Sequence, residues 1–227
     1  MIEDLPSWVE LLFGFTTVLT LWLYWLCNLG SGKLIAWLVL FSTSHSVAAY
    51  LGFYSSFDAL PPRFLLVLVP SVAAILYGLR PKVRQRILEN RDLHLSPFVH
   101  TIRIPVEIVL LFLFYHGSIP KLMTFEGRNF DILAGITAPI MGGLYLRGKV
   151  SNEVMLIWNL ICLGLVSFIL TNGILSAPLP FQQFGFDQPN VAVAYFPFVL
   201  LPAIIVPLVI YTHITDIILL IQKMKGG

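Results

Sequence analysis

The feature that most constrains this chain is a succession of long apolar runs that carry very little charge. A helix that crosses a membrane needs about 20 mostly apolar residues. Seven windows meet this requirement: residues 8–28, 34–54, 60–79, 98–118, 129–147, 153–175 and 193–220. Strands of a membrane barrel would instead alternate apolar and polar residues over segments of about ten. The pattern therefore predicts an all-α, polytopic membrane helix bundle with about seven transmembrane helices, in which residues 1–227 form a single transmembrane domain.

Composition agrees with a membrane protein and argues against several other classes. Hydrophobic residues make up 57% of the chain and charged residues 11%, whereas a soluble domain is about a quarter charged. The net charge of +2 is too small to indicate a nucleic-acid partner. Cys27 and Cys162 lie in separate apolar runs without a CxxC spacing, so we expect neither a disulfide nor a cysteine metal site. The acidic start of the chain is unlike a signal peptide, so the first run is expected to remain as a helix.

Basic residues are distributed unequally between alternate connections, and this predicts an orientation. One set of connections holds ten: Lys33, Arg80, Lys82, Arg84, Arg86, Arg91, Arg147, Lys149, Lys223 and Lys225. The other set holds three: Arg63, Lys121 and Arg128. The positive-inside rule then places the N-terminus outside and the C-terminus in the cytoplasm. The basic residues from Arg80 to Arg91 can also bind anionic lipid headgroups, although the simpler interpretation is that they are only a topology signal.

Three of the predicted spans are less regular than the others. The third is short and contains Pro70, the fifth is rich in glycine and contains Pro139, and the last contains Pro197, Pro202 and Pro207. Because proline removes a backbone donor and disturbs the preceding turn, we expect the last span to be tilted or to begin as a partly unwound segment.

Ionisable residues within the runs form a first candidate site on the predicted cytoplasmic half. Such groups are costly inside a membrane and mark functional positions. His100, Arg103 and Glu107 share one face of the fourth helix because their spacing is i, i+3 and i+7. The full inner polar cluster comprises His45, His100, Arg103, Glu107, Asn159, His213 and Asp216.

The inner polar cluster is compatible with several kinds of chemistry. Arg103 and Glu107 can form a buried ion pair, and the whole cluster can be a hydrogen-bonded core without further function. His45, Glu107 and His213 can instead supply two imidazoles and a carboxylate to a divalent metal. The same groups can relay protons, because histidine titrates near neutrality. The sequence assigns no cofactor.

A second candidate site is predicted at the outer surface. The outer polar cluster comprises Glu10, His116, Glu126, Arg128, Asn129, Asp131 and Asn172. Asn129 or Asp131 can act simply as the N-cap of the fifth helix. The connection of residues 176–190 is rich in Pro, Phe and Gln and lacks basic residues, so it can fold back as a lid over an outward cavity.

Several stretches in the second half of the chain carry a family resemblance. They are MTFEGRNFDILAGITAP at residues 123–139, Trp158-Asn159, LSAPLPF at 175–181, and FPFVLLPAIIVPL at 196–208, which His213 follows. Together they resemble a family of small, uncharacterised bacterial seven-helix integral membrane proteins. The resemblance implies a bacterial inner (plasma) membrane and a multi-pass topology, and it implies no activity.

Three functions remain compatible with the sequence. Mid-membrane ionisable groups and proline-broken helices favour a transporter for a small solute or ion, whose transport can be linked to protons. The alternatives are a membrane enzyme that acts on a lipid or another apolar substrate through its His and Glu residues, and a sensor or assembly subunit with a ligand site at its outer face. The sequence does not indicate an oligomeric state.

Overall fold

The structure, a computed structural model, describes residues 2, 4–57 and 62–226. The residues described form eight α-helices: α1 Ser7–Cys27, α2 Gly32–Tyr50, α3 Leu65–Gly78, α4 Pro81–Glu89, α5 Arg103–Tyr115, α6 Ile132–Leu146, α7 Asn152–Leu175 and α8 Val206–Gly226. A 3-10 helix, Ser96–Ile102, leads directly into α5, and a π-helix, Leu201–Ile205, leads directly into α8. The all-α prediction is confirmed.

Four helical segments of the described chain are long and apolar enough to cross a membrane. They are Ser7–Cys27, Ser96–Tyr115, Asn152–Leu175 and Leu201–Gly226. The pair Leu65–Gly78 and Pro81–Glu89 makes a fifth if it is counted as one span, although the two helices are bent by 76°. Seven spans are therefore not supported: α2 is not among the helices that are both long and apolar enough, and α6 has only 15 residues.

The predicted windows and the helices agree best where the apolar run is uninterrupted. The window 34–54 ends as a helix at Tyr50, and the window 60–79 becomes a helix of 14 residues. The start of that window, at residues 60 and 61, lies outside the described residues. Residues 81–89, predicted as part of a loop, form α4, which begins with a proline at a position that tolerates one. The last window begins irregularly, as its prolines predicted, and becomes helical only at the π-helix.

The connection between α5 and α6 passes back through the protein instead of staying at one surface. Gly142 of α6 lies against the Phe98 ring, and Gly135 lies against the backbone of Ile104. These contacts place the start of α6 beside the start of α5. Residues 116–131, here called the returning segment, must therefore travel back along α5, whose 13 residues measure about 20 Å.

The returning segment is held by close backbone packing. Gly127 faces the Lys121 carbonyl so closely that a Cβ atom at Gly127 would clash with that oxygen. The backbone N–H of Gly127 donates to the carbonyl of Thr124, and that of Asn129 does the same. Asn129 and Asp131 lie at the end of the returning segment, where it has come back along α5 into the interior of the bundle. Both side chains are therefore buried.

Residues 176–200 fold over the ends of α5 and α7. The Gln188 amide donates to the carbonyls of Phe114, at 2.8 Å, and Ile119, at 2.6 Å. The Asn190 amide donates to the Gly173 carbonyl at 3.0 Å, and the Val191 N–H donates to the Ser118 carbonyl at 3.1 Å. These hydrogen bonds place residues 188–191 beside the interior that the returning segment enters.

Candidate functional site

Arg103 lies at the centre of the polar interior, and its ionic partner is Asp131. Arg103 is 2% exposed, and its Nη1 donates to Asp131 Oδ1 at 2.7 Å. No ion pair between Arg103 and Glu107 occurs in the part of the chain that the structure describes. The predicted ion pair between Arg103 and Glu107 was wrong. Helix periodicity places both residues on one face, but the returning segment brings the Asp131 carboxylate to the guanidinium instead.

Glu107 is held by the returning segment through Asn129. The Asn129 amide Nδ2 donates to Glu107 Oε1 and, at 3.0 Å, to the carbonyl of Met123. Asn129 Oδ1 accepts the backbone N–H of Asp131 at 3.0 Å, which fixes the orientation of the amide. The other carboxyl oxygen of Glu107 is buried and has no partner among the described residues.

Asp131 stands at the N-cap position of α6 but makes no capping hydrogen bond with its side chain. Its carboxylate is used by Arg103 instead. Asn129 and Asp131, predicted on the outer surface, therefore join Arg103 and Glu107, predicted on the inner side. The two clusters inferred from the sequence are partly one site.

His213 extends this site towards α7. Arg103 Nη2 lies 2.8 Å from His213 Nε2, and His213 Nδ1 lies 2.7 Å from Asn159 Oδ1. Because a guanidinium only donates hydrogen bonds, Nε2 accepts, and the proton of a neutral ring resides on Nδ1 and is donated to Asn159. A hydrogen-bonded chain thus runs from Glu107 through Asn129, Asp131, Arg103 and His213 to Asn159.

His100 stacks on His213, next to the Asn159 end of this hydrogen-bonded chain. The two imidazole rings are nearly parallel, at 6°, with centroids 3.8 Å apart. The Trp158 ring meets both edge to face, at 5.6 and 5.9 Å. His100 is fully buried, and neither of its ring nitrogens has a partner among the described residues. Five members of the predicted inner cluster are therefore brought together: His100, Arg103, Glu107, Asn159 and His213.

Asp216 belongs to a separate ion pair with Arg91. Arg91 Nε donates to Asp216 Oδ1, and Ser96 donates to the other carboxylate oxygen. Burial disfavours the charge of Arg91, but the Asp216 carboxylate raises the pKa of Arg91 above its ordinary value. Arg91 cannot bind a lipid headgroup as predicted, because its side chain is fully buried. Arg80, Lys82 and Arg86 remain exposed.

His45 lies away from the other histidines. Its Nδ1 is 2.8 Å from the hydroxyl of Tyr54, and its ring packs against Phe41. Within the described residues, no three His, Cys, Asp or Glu side chains are grouped so that they could hold a metal ion. The set His45, Glu107 and His213 is therefore not assembled, because His45 contacts Phe41 of its own helix and Tyr54, which follows the end of that helix.

The remaining members of the outer polar cluster make local contacts. His116 Nδ1 lies 2.7 Å from the carbonyl of Phe112, and the Asn172 amide donates to the carbonyl of Phe168 at 3.0 Å. Glu126 is exposed and accepts a hydrogen bond from Tyr115 at 3.1 Å. The Arg128 guanidinium lies 4.9 Å from the centre of the Phe184 ring, and Glu10 lies half-buried in the first turn of α1.

A cavity of about 70 Å³ adjoins the carboxyl end of the hydrogen-bonded chain. Within the described part of the chain, the polar residues that line it are Glu107, Asn129, Asp131 and Asn190. Most of the remaining wall consists of apolar side chains from α3, α5, α7 and the π-helix, among them Leu68, Leu110, Val166, Leu170 and Leu201. The volume accommodates a few water molecules or a small organic group.

Asn190 is a residue of this cavity that the sequence did not reveal. It is 2% exposed, and its Oδ1 has no partner among the described residues. The composition of residues 176–190 predicted only a lid over an outward cavity. An asparagine followed directly by the apolar residues 191–194 was the available signal.

The fold and the site together define an all-helical protein in which a hydrogen-bonded polar interior and a small cavity lie between apolar helices. The chain belongs to the family described as Domain of unknown function (DUF8737), which matches residues 60–221. No curated protein matches the chain, and no solved structure matches it.

Proposed function

We propose that this chain is an integral membrane protein that moves a small solute or ion across the membrane, with transport linked to protons through Glu107. The observation that carries the proposal is a buried carboxyl group whose free oxygen belongs to a residue lining a cavity. A carboxylate in apolar surroundings is costly unless it is paired, hydrated or protonated. Glu107 therefore exchanges a proton whenever the occupant of the cavity changes.

The hydrogen-bonded chain links further titratable groups to Glu107. Asp131 and His213 are titratable, and Asn129 and Arg103 position them by hydrogen bonds, although an amide and a guanidinium do not themselves relay a proton. Asp216 follows His213 by three residues on α8 and continues the polar face of that helix. Polar groups thus extend from the cavity through much of the bundle.

The proposed protein lies in a bacterial inner membrane with about seven membrane-embedded segments, its N-terminus outside and its C-terminus in the cytoplasm. The ten-to-three distribution of basic residues favours this orientation. In this topology α6 covers about 22 Å and the returning segment completes the crossing. Irregular backbone is tolerated at membrane depth where protein surrounds it.

The orientation is tested by labelling single cysteines in intact cells with a membrane-impermeant maleimide. We expect Ser7→Cys to be labelled and Lys225→Cys to be labelled only after the cells are opened. The unaltered chain is the control, because Cys27 and Cys162 are both buried. The opposite pattern would show that the orientation is inverted.

Transport is tested in proteoliposomes that contain a pH-sensitive dye, across a panel of small cationic, neutral and anionic solutes. We expect one class of solute to drive a proton flux that Glu107→Gln abolishes while folding is retained. Glu126→Gln, the same change at an exposed carboxylate, should leave the flux intact. Flux that persists in Glu107→Gln, or no flux with any solute, would refute the proposal.

A second candidate is an enzyme that acts on a lipid or another apolar substrate by acid–base chemistry. The apolar wall of the cavity around a single unpaired carboxyl group favours it. It requires no metal, in keeping with the dispersed His45 and His213. Mass spectrometry of lipid extracts incubated with the protein and with Glu107→Gln decides it, because only a product that depends on Glu107 supports catalysis.

A further inference from the structure

We infer that the cavity beside Glu107 binds a small organic ammonium ion: a protonated amine on a short apolar body. The inference rests on the proposed use of this cavity and names the class of solute that it accepts. Its basis is the character of the free polar atoms, the charges around them and the composition of the wall.

Two fully buried polar side-chain atoms of the lining have no hydrogen-bond partner among the described residues, and both are acceptors. They are Glu107 Oε2 and Asn190 Oδ1, each on a residue that is 2% exposed. The Asn190 amide nitrogen already donates to the Gly173 carbonyl, so its orientation is fixed and its oxygen is the free atom. A ligand that satisfies both atoms must supply at least two donors, and an ammonium group supplies three.

The charges around the cavity also favour a cation. Among the described residues, no Lys, Arg or His lines the cavity. Asp131, the other carboxylate of the described lining, is already paired with Arg103. Glu107 receives only the neutral amide of Asn129, so its ionised form has no cationic partner among the described residues. A positively charged ligand would provide that partner.

The wall of the cavity favours an organic cation over a metal ion. Hard divalent cations take six or more oxygen ligands, whereas most of this lining is aliphatic, as Leu68, Leu110 and Leu170 illustrate. An alkyl group fills such a surface and gains from leaving water. The pairing of two acceptors with an aliphatic wall therefore matches an alkylammonium ion.

Binding is tested on the full-length protein in a non-ionic detergent with n-alkylamines from propylamine to hexylamine. Matched n-alkanols and n-alkanoates serve as probes of equal chain length and different head group. Calorimetry should show that an amine binds at least about tenfold more tightly than its alkanol, because a charge-assisted hydrogen bond is lost in the alkanol. The alkanoates should not bind, since their charge is that of Glu107.

Two variants locate the binding. Glu107→Gln keeps the shape of the side chain and should weaken amine binding at least about tenfold, whereas Glu126→Gln should bind as the unaltered protein does. Leu170→Phe, at a half-buried position of the wall, should weaken the longer amines most. This variant and the comparison of head groups decide the matter even if Glu107→Gln does not fold.

The outcomes separate this inference from the transport proposal. Equal binding of amines and alkanols, unchanged amine binding in folded Glu107→Gln or in Leu170→Phe, or displacement of the amine by sodium ions at similar concentrations would overturn the assignment. Amine binding without any flux in proteoliposomes would support the ligand class and refute transport. Flux of another solute class without amine binding would do the reverse.

Discussion

The pairing of Arg103 with Asp131 makes a quantitative prediction about stability. Their side chains are 3% and 9% exposed, so replacing one member leaves the other charge buried. Breaking such a pair costs about 3–5 kcal/mol of stability, and Asp131→Asn, which keeps an acceptor oxygen, should cost about 3 kcal/mol. Arg103→Gln should cost a similar amount. The double variant should be about 2 kcal/mol more stable than the sum of the two changes predicts.

The measurement is a double-mutant cycle of unfolding by sodium dodecyl sulfate in mixed micelles. A parallel cycle pairs Arg103→Gln with Glu107→Gln and should give a coupling energy below about 1 kcal/mol, since the two residues form no ion pair. Glu89→Gln is the matched control, because its exposed carboxylate accepts only from Gln85, and it should change stability by less than about 0.5 kcal/mol. A larger coupling of Arg103 to Glu107 than to Asp131 would refute the arrangement.

Three further changes have defined outcomes. Gly127→Ala should destabilise the protein by about 2–3 kcal/mol in the same unfolding assay, because the added Cβ would meet backbone atoms. Gly143→Ala is the control and should be neutral or stabilising, because a Cβ there meets nothing within 4 Å. An equal loss of stability in both variants would contradict the close packing of the returning segment. Tyr54→Phe should cost about 1–2 kcal/mol by removing the partner of His45 but leave transport unchanged, so an abolished flux would return His45 to the functional site. Phosphatidylglycerol should stabilise the protein against heat, and Arg86→Gln should reduce this stabilisation by about 1 kcal/mol. The same stabilisation in both proteins would show that Arg86, which is exposed, does not contact lipid headgroups.

Much of the secondary structure followed from the apolar runs alone. The run at residues 8–28 became α1, Ser7–Cys27, and the run at 153–175 became α7, Asn152–Leu175. A long apolar run satisfies its backbone most simply as a helix, so its bounds follow from where the polar residues begin. The irregular start of the last span was likewise visible in its prolines.

The number of spans did not follow from the runs. The window 34–54 became a helix that is not among those long and apolar enough to cross a membrane. The window 129–147 became a helix of only 15 residues. Residues 129–131 were predicted as the start of a span, but they form the end of the returning segment, and α6 begins only at Ile132. Hydropathy measures how apolar a segment is, and it does not distinguish a segment that faces lipid from one that protein surrounds.

The sequence by itself determined which polar residues share a helix face, and the tertiary structure decided which of them meet. The periodicity of α5 and the turn before it placed His100, Arg103 and Glu107 on one face. The partner of Arg103 is 28 residues away, and it arrives because the returning segment runs back along α5. Helical spacing fixes distances of a few residues within one rigid element. Distances between helices depend on the path of the connections and on packing within the whole bundle. The residue pattern of one helix specifies neither the path nor the packing.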